Sequence, residues 1–532
     1  MMWPVPAVAA SSLLIASLVT ALPRSEPRKA TNEIRNANHI FNAIHSSMRQ
    51  WGSSLFHNGM SVFPAVVPAG TQFYHGTGLE EPIQGLEWLA FEPEHAIMFA
   101  RSFKPPDSET KWPMDDSGQH LQSRIDKLAP SEPVQIIVAS SGDEDYRPRP
   151  SPPRSEPGWL HTYRTKEATP LLYIDGMSAG KCDKGTLDSQ DVLLLNASSE
   201  SKGRFWERER ADRLCKLAAE QWSGKIKGFI RMEAGFEIIM CSFSDSLDFV
   251  QSTRAGPFAP TGAKPNPEKS QFQRSVWEWV KFVTARYDGI GGGRVRLDYD
   301  KFITAYSYDF DLFQAHDGLP RLENASVTSL NLARVDIDTM IRAWDPDQIS
   351  SGNSTDWQSV ADMVVERYGK LLKYLVSGSV RTTEELLSEL ELTLRVFIDS
   401  DARDAKAEVD RCSWQFNPTD SNVQSSIAAR SIHDVTRRIC ETLFLIFDIN
   451  MPRSESLRHL WAIIHYLDWS VWKKCSECPF EEICFIPMWP FGAPEDRENP
   501  QCRNASDLSG RMGYWGNPGP RAVNFGADEV WA

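Results

Sequence analysis

The spacing of hydrophobic positions divides the chain into two stretches with different periodicities. Up to about residue 250, short apolar runs such as MSVFPAVV, LLYIDG and FEIIMCSF alternate with turn residues, which is typical of strands. Beyond about residue 270, apolar residues recur every three or four positions over long stretches, which is typical of amphipathic helices. The pattern therefore predicts an α+β fold in which most strands precede most helices.

A proline- and glycine-rich segment, STRAGPFAPTGAKPNPEKS, lies between the two stretches and has the composition of a linker. Few helices alternate with the strands before it, so a doubly wound parallel sheet is not expected. The predicted organisation is a signal peptide (residues 1–21), an α+β domain (22–250), a linker (251–272), a helical domain (273–470) and a Cys/Trp/Pro-rich tail (471–532).

Individual helices can be placed from their apolar stripes and caps. The periodicity predicts helices over residues 31–51, 204–222 and 357–376. In TTEELLSELELTLRVFI, Thr382 and Glu385 have the spacing of a capping box, which predicts a helix beginning there.

The first residues have the features of a secretory leader. An apolar run ends in small residues, with Val19 and Ala21 at the positions that favour cleavage after Ala21. No later segment has the roughly 18 to 20 uninterrupted apolar residues of a spanning helix. Four sequons, at Asn196, Asn324, Asn353 and Asn504, agree with a secreted glycoprotein.

Nine cysteines remain, and in an oxidising compartment most of them should pair. The odd number leaves at least one free or intermolecular. Cys475 and Cys478 form a CxxC, but the second half of a zinc signature is missing, so disulfides are favoured. With Cys484 and Cys502 they allow three pairings, among which the sequence does not choose.

The formal net charge is −14, and no basic patch is visible. Nucleic acids and anionic membranes are bound through such patches, so neither is an expected partner. The sequence names no other partner.

One short motif, FYHGTG, presents a histidine at the end of a predicted strand, directly before a glycine. TQFYHGTG and the following GLEWLAFEPEHAIMFAR resemble the first two elements of the ADP-ribosyltransferase fold, and FEIIMCSF resembles its later glutamate-bearing strand. The resemblance covers about residues 71–101 and 236–243.

The resemblance implies a site for NAD. In such a site His75 would contact a hydroxyl of the nicotinamide ribose, and the backbone of Gly76 would contact the carboxamide. Glu237 would polarise the ribose hydroxyl and stabilise the positive charge that develops on the ribosyl carbon. Phe99 or Trp88 would stack on the nicotinamide in place of the family's tyrosine.

A second motif, Gly176-x-Ser178-x-Gly180, follows the predicted strand LLYID and has the spacing of a nucleophile elbow. Its partners in a serine hydrolase would be Asp309 or Asp311 with His316 or His433, and no pattern marks any of them. A helix should follow such an elbow, whereas KCDKGTLDSQD favours a loop, so a structural turn is the preferred interpretation of Ser178.

Three function classes therefore remain. The first is an NAD-using ADP-ribosyltransferase-like protein with a divergent or degenerate site. The second is a non-catalytic secreted binding or structural protein, and the third is a serine hydrolase. The run DGIGGGR lacks the Lys-Ser/Thr of a phosphate-binding loop and favours a flexible connection.

Overall fold

A computed structural model describes most of the chain beyond its first 33 residues. The described residues are 34–103, 155–197, 207–256, 271–315, 318–350, 354–417, 425–508, 511 and 513–516. The predicted signal peptide, most of the predicted linker, His316 and the sequon at Asn353 lie outside them.

A large mixed sheet is built mainly from the first half of the chain. In chain order the strands are β1 (Ser61–Val67), β2 (Gln72–Thr77), β3 (Glu87–Ala90), β4 (Arg101–Phe103), β5 (Ser155–Pro157), β6 (Trp159–Thr165), β7 (Thr169–Ile174), β8 (Gly228–Met232), β9 (Phe236–Met240), β10 (Leu247–Arg254), β11 (Arg296–Leu297), β12 (Ile303–Thr304), β13 (Ile483–Phe485) and β14 (Gln501–Arg503).

The large sheet has the strand order β10-β6-β2-β3-β9-β8-β7-β1-β11, and β12 also pairs with β1. Its described pairs are antiparallel except β7 with β8. β4 with β5, and β13 with β14, form separate two-stranded sheets. The predicted α+β class is therefore confirmed.

Helices dominate the second half, as the periodicity predicts. They are α1 (Ala37–Ser46), α2 (Gln50–Leu55), α3 (Pro93–Ile97), α4 (Glu207–Glu220), α5 (Phe243–Ser246), α6 (Gln271–Val283), α7 (Val327–Ala343), α8 (Pro346–Ser350), α9 (Trp357–Leu375), α10 (Thr383–Leu394), α11 (Ala405–Trp414), α12 (Ile427–Asp448), α13 (Arg453–Leu467) and α14 (Pro494–Glu498). The predicted capping box is present at α10, where Thr382 and Glu385 bond each other's backbone N–H groups.

The helix predicted over residues 31–51 is interrupted. Met48 has a φ of 52°, a left-handed conformation that ends α1, and its backbone N–H donates to the hydroxyl of Tyr173. α2 then packs tightly beside α1, since a Cβ on Gly52 would lie 2.2 Å from the Ser46 Oγ. A tertiary contact and a close approach therefore override a continuous helical pattern.

Contacts cross the position of the predicted linker. β11 and β12, which lie beyond it, pair with β1, and the Asn42 side chain of α1 donates to the carbonyl of Leu467 at the end of α13. One hydrophobic cluster includes buried residues from both halves. The boundaries of the two predicted domains stay predictions, whereas the described residues from Ile34 onward form one compact unit.

Eight of the nine cysteines form disulfides, and Cys182 is the remaining one. The pairs are Cys215–Cys241, Cys412–Cys440, Cys475–Cys484 and Cys478–Cys502. This confirms the predicted disulfides and selects one of the three pairings open for the tail. Among the described residues, no helix is long and apolar enough to cross a membrane.

Candidate functional site

A group of charged side chains lies buried beside the hairpin of β8 and β9. Arg231 on β8 is paired with Glu237 on β9 across the two strands, and the turn between them contains Glu233 and Gly235. We call this group the Glu237 cluster; its members are His95, Lys181, Asp191, Glu207, Arg210, Arg231, Glu233 and Glu237.

Arg231 is the central cation of the Glu237 cluster. It is fully buried, donates to Glu237 at 2.5 Å and also donates to Glu207. Its other terminal nitrogen donates to the side-chain oxygen of Gln190 at 2.9 Å. Arg210 on α4 donates to Glu207 at 2.8 Å and so joins a second cation to the same carboxylate. Arg231 and Arg210 thus hold the carboxylates of Glu207 and Glu237 in place.

The other half of the cluster surrounds Glu233. Lys181 Nζ donates to Glu233 Oε2 at 2.7 Å, and His95 Nε2 lies 4.0 Å from Glu233 Oε1. Trp279 of α6 donates its indole N–H to His95 Nδ1 at 3.3 Å. The imidazole of His95 is therefore oriented by a donor from one side and faces carboxylates on the other.

Burial and neighbouring charges shift the pKa values in opposite directions. Burial raises the pKa of Glu237 despite the opposing effect of Arg231, and burial lowers the pKa of His95 despite Glu233. Burial disfavours the ionised form of Glu207, but Arg231, Lys181 and Arg210 outweigh it and lower the pKa of that carboxyl. Carboxylates of one cluster thus differ in proton affinity, an arrangement that is frequent at functional sites.

The strand register decides which predicted site residues share a face. Tyr74 on β2 is opposite Ala90 on β3, and Ala90 is opposite Glu237 on β9. Residues directly opposite each other in a sheet, and those two positions further along, point to the same face. Gly76, Trp88 and Glu237 therefore lie on one face.

The short helix α3 covers this face at Gly76. A Cβ on Gly76 would lie 2.0 Å from the carbonyl oxygen of Ala96, so only glycine allows α3 to approach. Phe99, just after α3, makes an edge contact with His95 at 5.9 Å between ring centroids. α3 thereby connects the Gly76 position with the Glu237 cluster.

His75 lies on the opposite face. Its Nδ1–H donates to the carbonyl of Trp88 at 2.7 Å, and its ring contacts those of His161 and Phe243. Burial lowers the pKa of His75 to about 4, so its imidazole is neutral. The structure brings Glu237 together with His95, and not with His75.

Trp88 and Phe99 are both half-buried. The guanidinium of Arg208 lies 5.9 Å from the Trp88 ring, and Trp279 stacks on His95 at 6.0 Å and meets Phe491 edge-on at 6.3 Å. Side chains from α6 and from the tail therefore cover the Glu237 cluster.

Ser178 lies in a turn and is 1% exposed. Its hydroxyl donates to the carbonyl of Ile174 at 2.8 Å, and the next helical segment is the π-helix Ser189–Leu194. Of the proposed partners, His433 stacks on Trp414 within the helical half, and no histidine in the described part of the chain hydrogen-bonds to Ser178. These contacts are those of a structural turn.

The asparagines of three sequons fall within the described residues. Asn196 and Asn324 are exposed and Asn504 is half-buried. Their glycosylation stays a prediction.

An open pocket of 380 Å³ lies on the surface near β2. Gly292 and Gly293 line it, both with positive φ, together with Tyr74 and Glu92. Arg294 also lines it, but its guanidinium donates to Glu92 at 2.7 Å. The predicted loop DGIGGGR is thus one wall of a polar pocket.

Most members of the Glu237 cluster were missed by the sequence reasoning. A signal for one pair was present, because two strands joined at Ala234-Gly235 place Arg231 opposite Glu237. His95 and Lys181 carry no such signal, since each comes from a loop or short helix that only tertiary packing brings to the hairpin.

Comparisons with known proteins show sequence similarity but assign no function. The family model described as YPL277C N-terminal domain matches residues 30–257, less than half of the chain. Two proteins of Saccharomyces cerevisiae, the uncharacterized proteins YOR389W and YPL277C, are 33% and 34% identical over 230 and 227 residues, 40% of this chain in each case. The chain spans 33% and 42% of the length of these relatives. No solved structure matches significantly. The matched segment contains His95, Lys181 and the β8–β9 hairpin but not Trp279.

Proposed function

We propose that this chain is a secreted glycoprotein with an ADP-ribosyltransferase-like site for NAD in a divergent form, centred on Glu237. The observation that carries the proposal is the shared face of Gly76, Trp88 and Glu237, with α3 and Phe99 packed over it. These are four of the five residues for which the sequence resemblance implies a role.

In this proposal the bond between the ribosyl carbon and the nicotinamide nitrogen breaks, and its electron pair leaves with nicotinamide. A positive charge develops on the ribosyl carbon as this bond breaks, and the carboxylate of Glu237 stabilises it. A nucleophile of the acceptor, or water, then forms the new bond to that carbon and releases its proton to solvent. Arg231 fixes the position of that carboxylate through its hydrogen bond. The site is divergent because His75 faces away, so another side chain must contact the ribose.

Secretion is supported by the leader, the exposed sequons and the four disulfides, since disulfides persist in oxidising compartments. The test is the gel mobility of protein recovered from culture medium before and after glycosidase treatment. We expect a shift to lower mass. Retention of an unmodified chain with its leader in the cytosol would contradict the proposal.

The activity is tested by measuring NAD binding and nicotinamide release. Losing a group that stabilises transition-state charge typically lowers the rate about 10²- to 10³-fold, and we expect this for Glu237→Gln. The control is Glu408→Gln, because Glu408 is also a fully buried, arginine-paired carboxylate but lies on α11. Unfolding curves would first establish that both variants fold. If the wild type neither binds nor cleaves NAD, the transferase proposal fails.

The cover over the Glu237 cluster favours a second candidate, a non-catalytic binding or structural protein that retains the scaffold. Trp279 stacks on His95 and covers that side of the Glu237 cluster, and Glu237 is 6% exposed. We expect Trp279→Gly to increase NAD binding if the covered site is functional. No binding by either the wild type or Trp279→Gly would favour the second candidate.

A further inference from the structure

The run DGIGGGR, which the proposed function does not use, lies beside the open pocket of 380 Å³ at the beginning of β2. Ligand pockets range from about 300 to 1,000 Å³, so this one suits a small ligand. Gly76, which belongs to the proposed NAD site, lies near the other end of the same strand. What the pocket binds is therefore independent of NAD.

Arg294 is the positively charged group of the pocket wall, and its neighbours hold it in place. Its guanidinium donates to Glu92 at 2.7 Å and to the carbonyl of Phe91 at 2.5 Å. It also lies over the Phe91 ring, 5.3 Å from the ring centroid. Arginine has five N–H donors, so three of them remain for a ligand. The guanidinium is thus fixed before a ligand binds and still has donors available.

The ion pairs beside the pocket contain more positive than negative charge. Glu92 is paired with Arg294 and also with Arg286, so two guanidinium groups share one carboxylate. This excess stands out on a chain whose formal net charge is −14. It favours an anionic ligand over a cationic one.

Further hydrogen-bond donors line the same pocket. Gln72 donates to the hydroxyl of Tyr74 at 2.7 Å, which leaves the proton of that hydroxyl for a ligand. Gly292 and Gly293 have φ angles of 67° and 63°, and their backbone N–H groups donate to no protein acceptor in the described part of the chain. Successive N–H groups in a turn are frequent donors to anions. The glycine turn therefore complements Arg294 in binding an oxyanion.

The rest of the pocket lining has mixed polarity. Pro68 and Tyr74 supply apolar surface, and Thr71 and Gln72 supply polar side chains. A sugar ring combines CH faces and hydroxyl groups in one small body, so it matches this lining better than a purely apolar ligand does.

We propose that this pocket binds an acidic sugar, a single hexose-sized ring that carries a carboxylate or a phosphate group. The acidic group accepts hydrogen bonds from Arg294 and from the N–H groups of Gly292 and Gly293, and the ring lies against Tyr74. Carboxylates and phosphates both accept two parallel hydrogen bonds from a guanidinium, so the shared chemistry is that of an oxyanion.

The ligand class is tested by calorimetric titration of the full chain with glucuronate, a glucose phosphate and neutral glucose. We expect the better-bound acidic sugar to bind at least tenfold more tightly than glucose, and it identifies the acidic group. Acetate and inorganic phosphate should bind more weakly than the sugar with the same group. Binding of neither acidic sugar, an equal affinity for glucose, or an equal affinity for the free anion would overturn the proposal.

The binding residues are tested with the same titration. Arg294→Met should weaken binding of the acidic sugar at least tenfold, while Glu92 keeps Arg286 as a partner. Tyr74→Phe removes only a hydroxyl and should weaken binding about threefold to tenfold, so it provides a second test if Arg294→Met does not fold.

The matched control is Arg254→Met. Arg254 is exposed and also lies over an aromatic ring, that of Trp159, but it is on β10 and does not line the pocket. This variant should bind the acidic sugar as tightly as the wild type. Wild-type affinity in both pocket variants, or an equal loss in the control, would overturn the assigned contacts and with them the proposed site.

Discussion

The two halves of the molecule have buried cores of different chemistry. Beside the sheet, the Glu237 cluster buries charged side chains around Arg231, each placed by hydrogen bonds. In the helical half, α12 packs mainly through apolar side chains, and its Ile432, Ile439 and Leu443 are fully buried. The two kinds of core differ in how strongly they depend on direction. A buried charge is stabilised only by correctly placed partners, whereas apolar packing depends mainly on volume and shape.

The largest effect is expected for Arg231→Met. It would leave Glu207 and Glu237 buried without their shared cation, and removing one partner of a buried pair typically costs about 3 to 5 kcal/mol. Chemical denaturation measures the free energy of unfolding. As a control, Arg213→Met breaks an exposed pair with Glu209 and should cost less than about 1 kcal/mol. Equal costs for both arginines would remove the distinction between the cluster and the surface.

A comparable loss in the helical core should come from Leu443→Ala. Leu443 on α12 is fully buried, and truncating such a leucine costs about 2 to 5 kcal/mol through lost burial and a cavity. The exposed Leu445 on the same helix, with 44% exposure, provides the matched control and should lose little. This cost should be the same at pH 5 and pH 7, since no charge is involved; a strong pH dependence would contradict it.

The sheet half should in contrast make stability depend on pH. Burial lowers the pKa of His57, which precedes β1, to about 3 from its ordinary 6.5. Below pH 6.5 the unfolded chain takes up a proton that the folded chain excludes, so stability is present above that pH and is lost as the pH falls. One such histidine contributes about 1.4 kcal/mol per pH unit, or about 2 kcal/mol by pH 5.

His57→Gln should therefore flatten the decline between pH 6.5 and pH 4. The measurement is the free energy of unfolding at several pH values for both proteins. Parallel curves for wild type and variant would show that the pKa of His57 is not lowered by folding.

The smallest effect is expected for the capping box of α10 in the helical half. Thr382→Ala removes the side chain that caps α10 and should cost about 1 kcal/mol. Ser388→Ala, at an exposed position within the same helix, should be neutral or slightly stabilising, because alanine favours helix interiors. Thermal unfolding resolves the difference, and equal effects at the two positions would contradict the role of the cap.

Local sequence signals predicted the elements well where the stabilising interactions are local. The capping box at Thr382 and the stripe that becomes α9 depend on residues a few positions apart, and both are found. The helix predicted over residues 31–51 failed at Met48, whose conformation accompanies a contact with Tyr173, a residue distant in sequence. The hydrophobic periodicity of residues 31–51 carries no information about that contact.

Local sequence patterns were also insufficient to predict the candidate site. The sequence places His75 and Gly76 next to each other, but successive residues of a strand face opposite sides, so only one of them can lie on the face of Glu237. Which one does is decided by the pairing of β2, β3 and β9.

By itself, the sequence determined the α+β class, the succession of strands and helices, and the presence of disulfides, because these follow from periodicity, local propensity and cysteine content. The tertiary structure alone decided the disulfide partners, the contacts across the predicted linker and the meeting of His95, Glu233 and Glu237. These depend on strand register and on the packing of α3 against Gly76, which join residues far apart along the chain through contacts that no local pattern encodes.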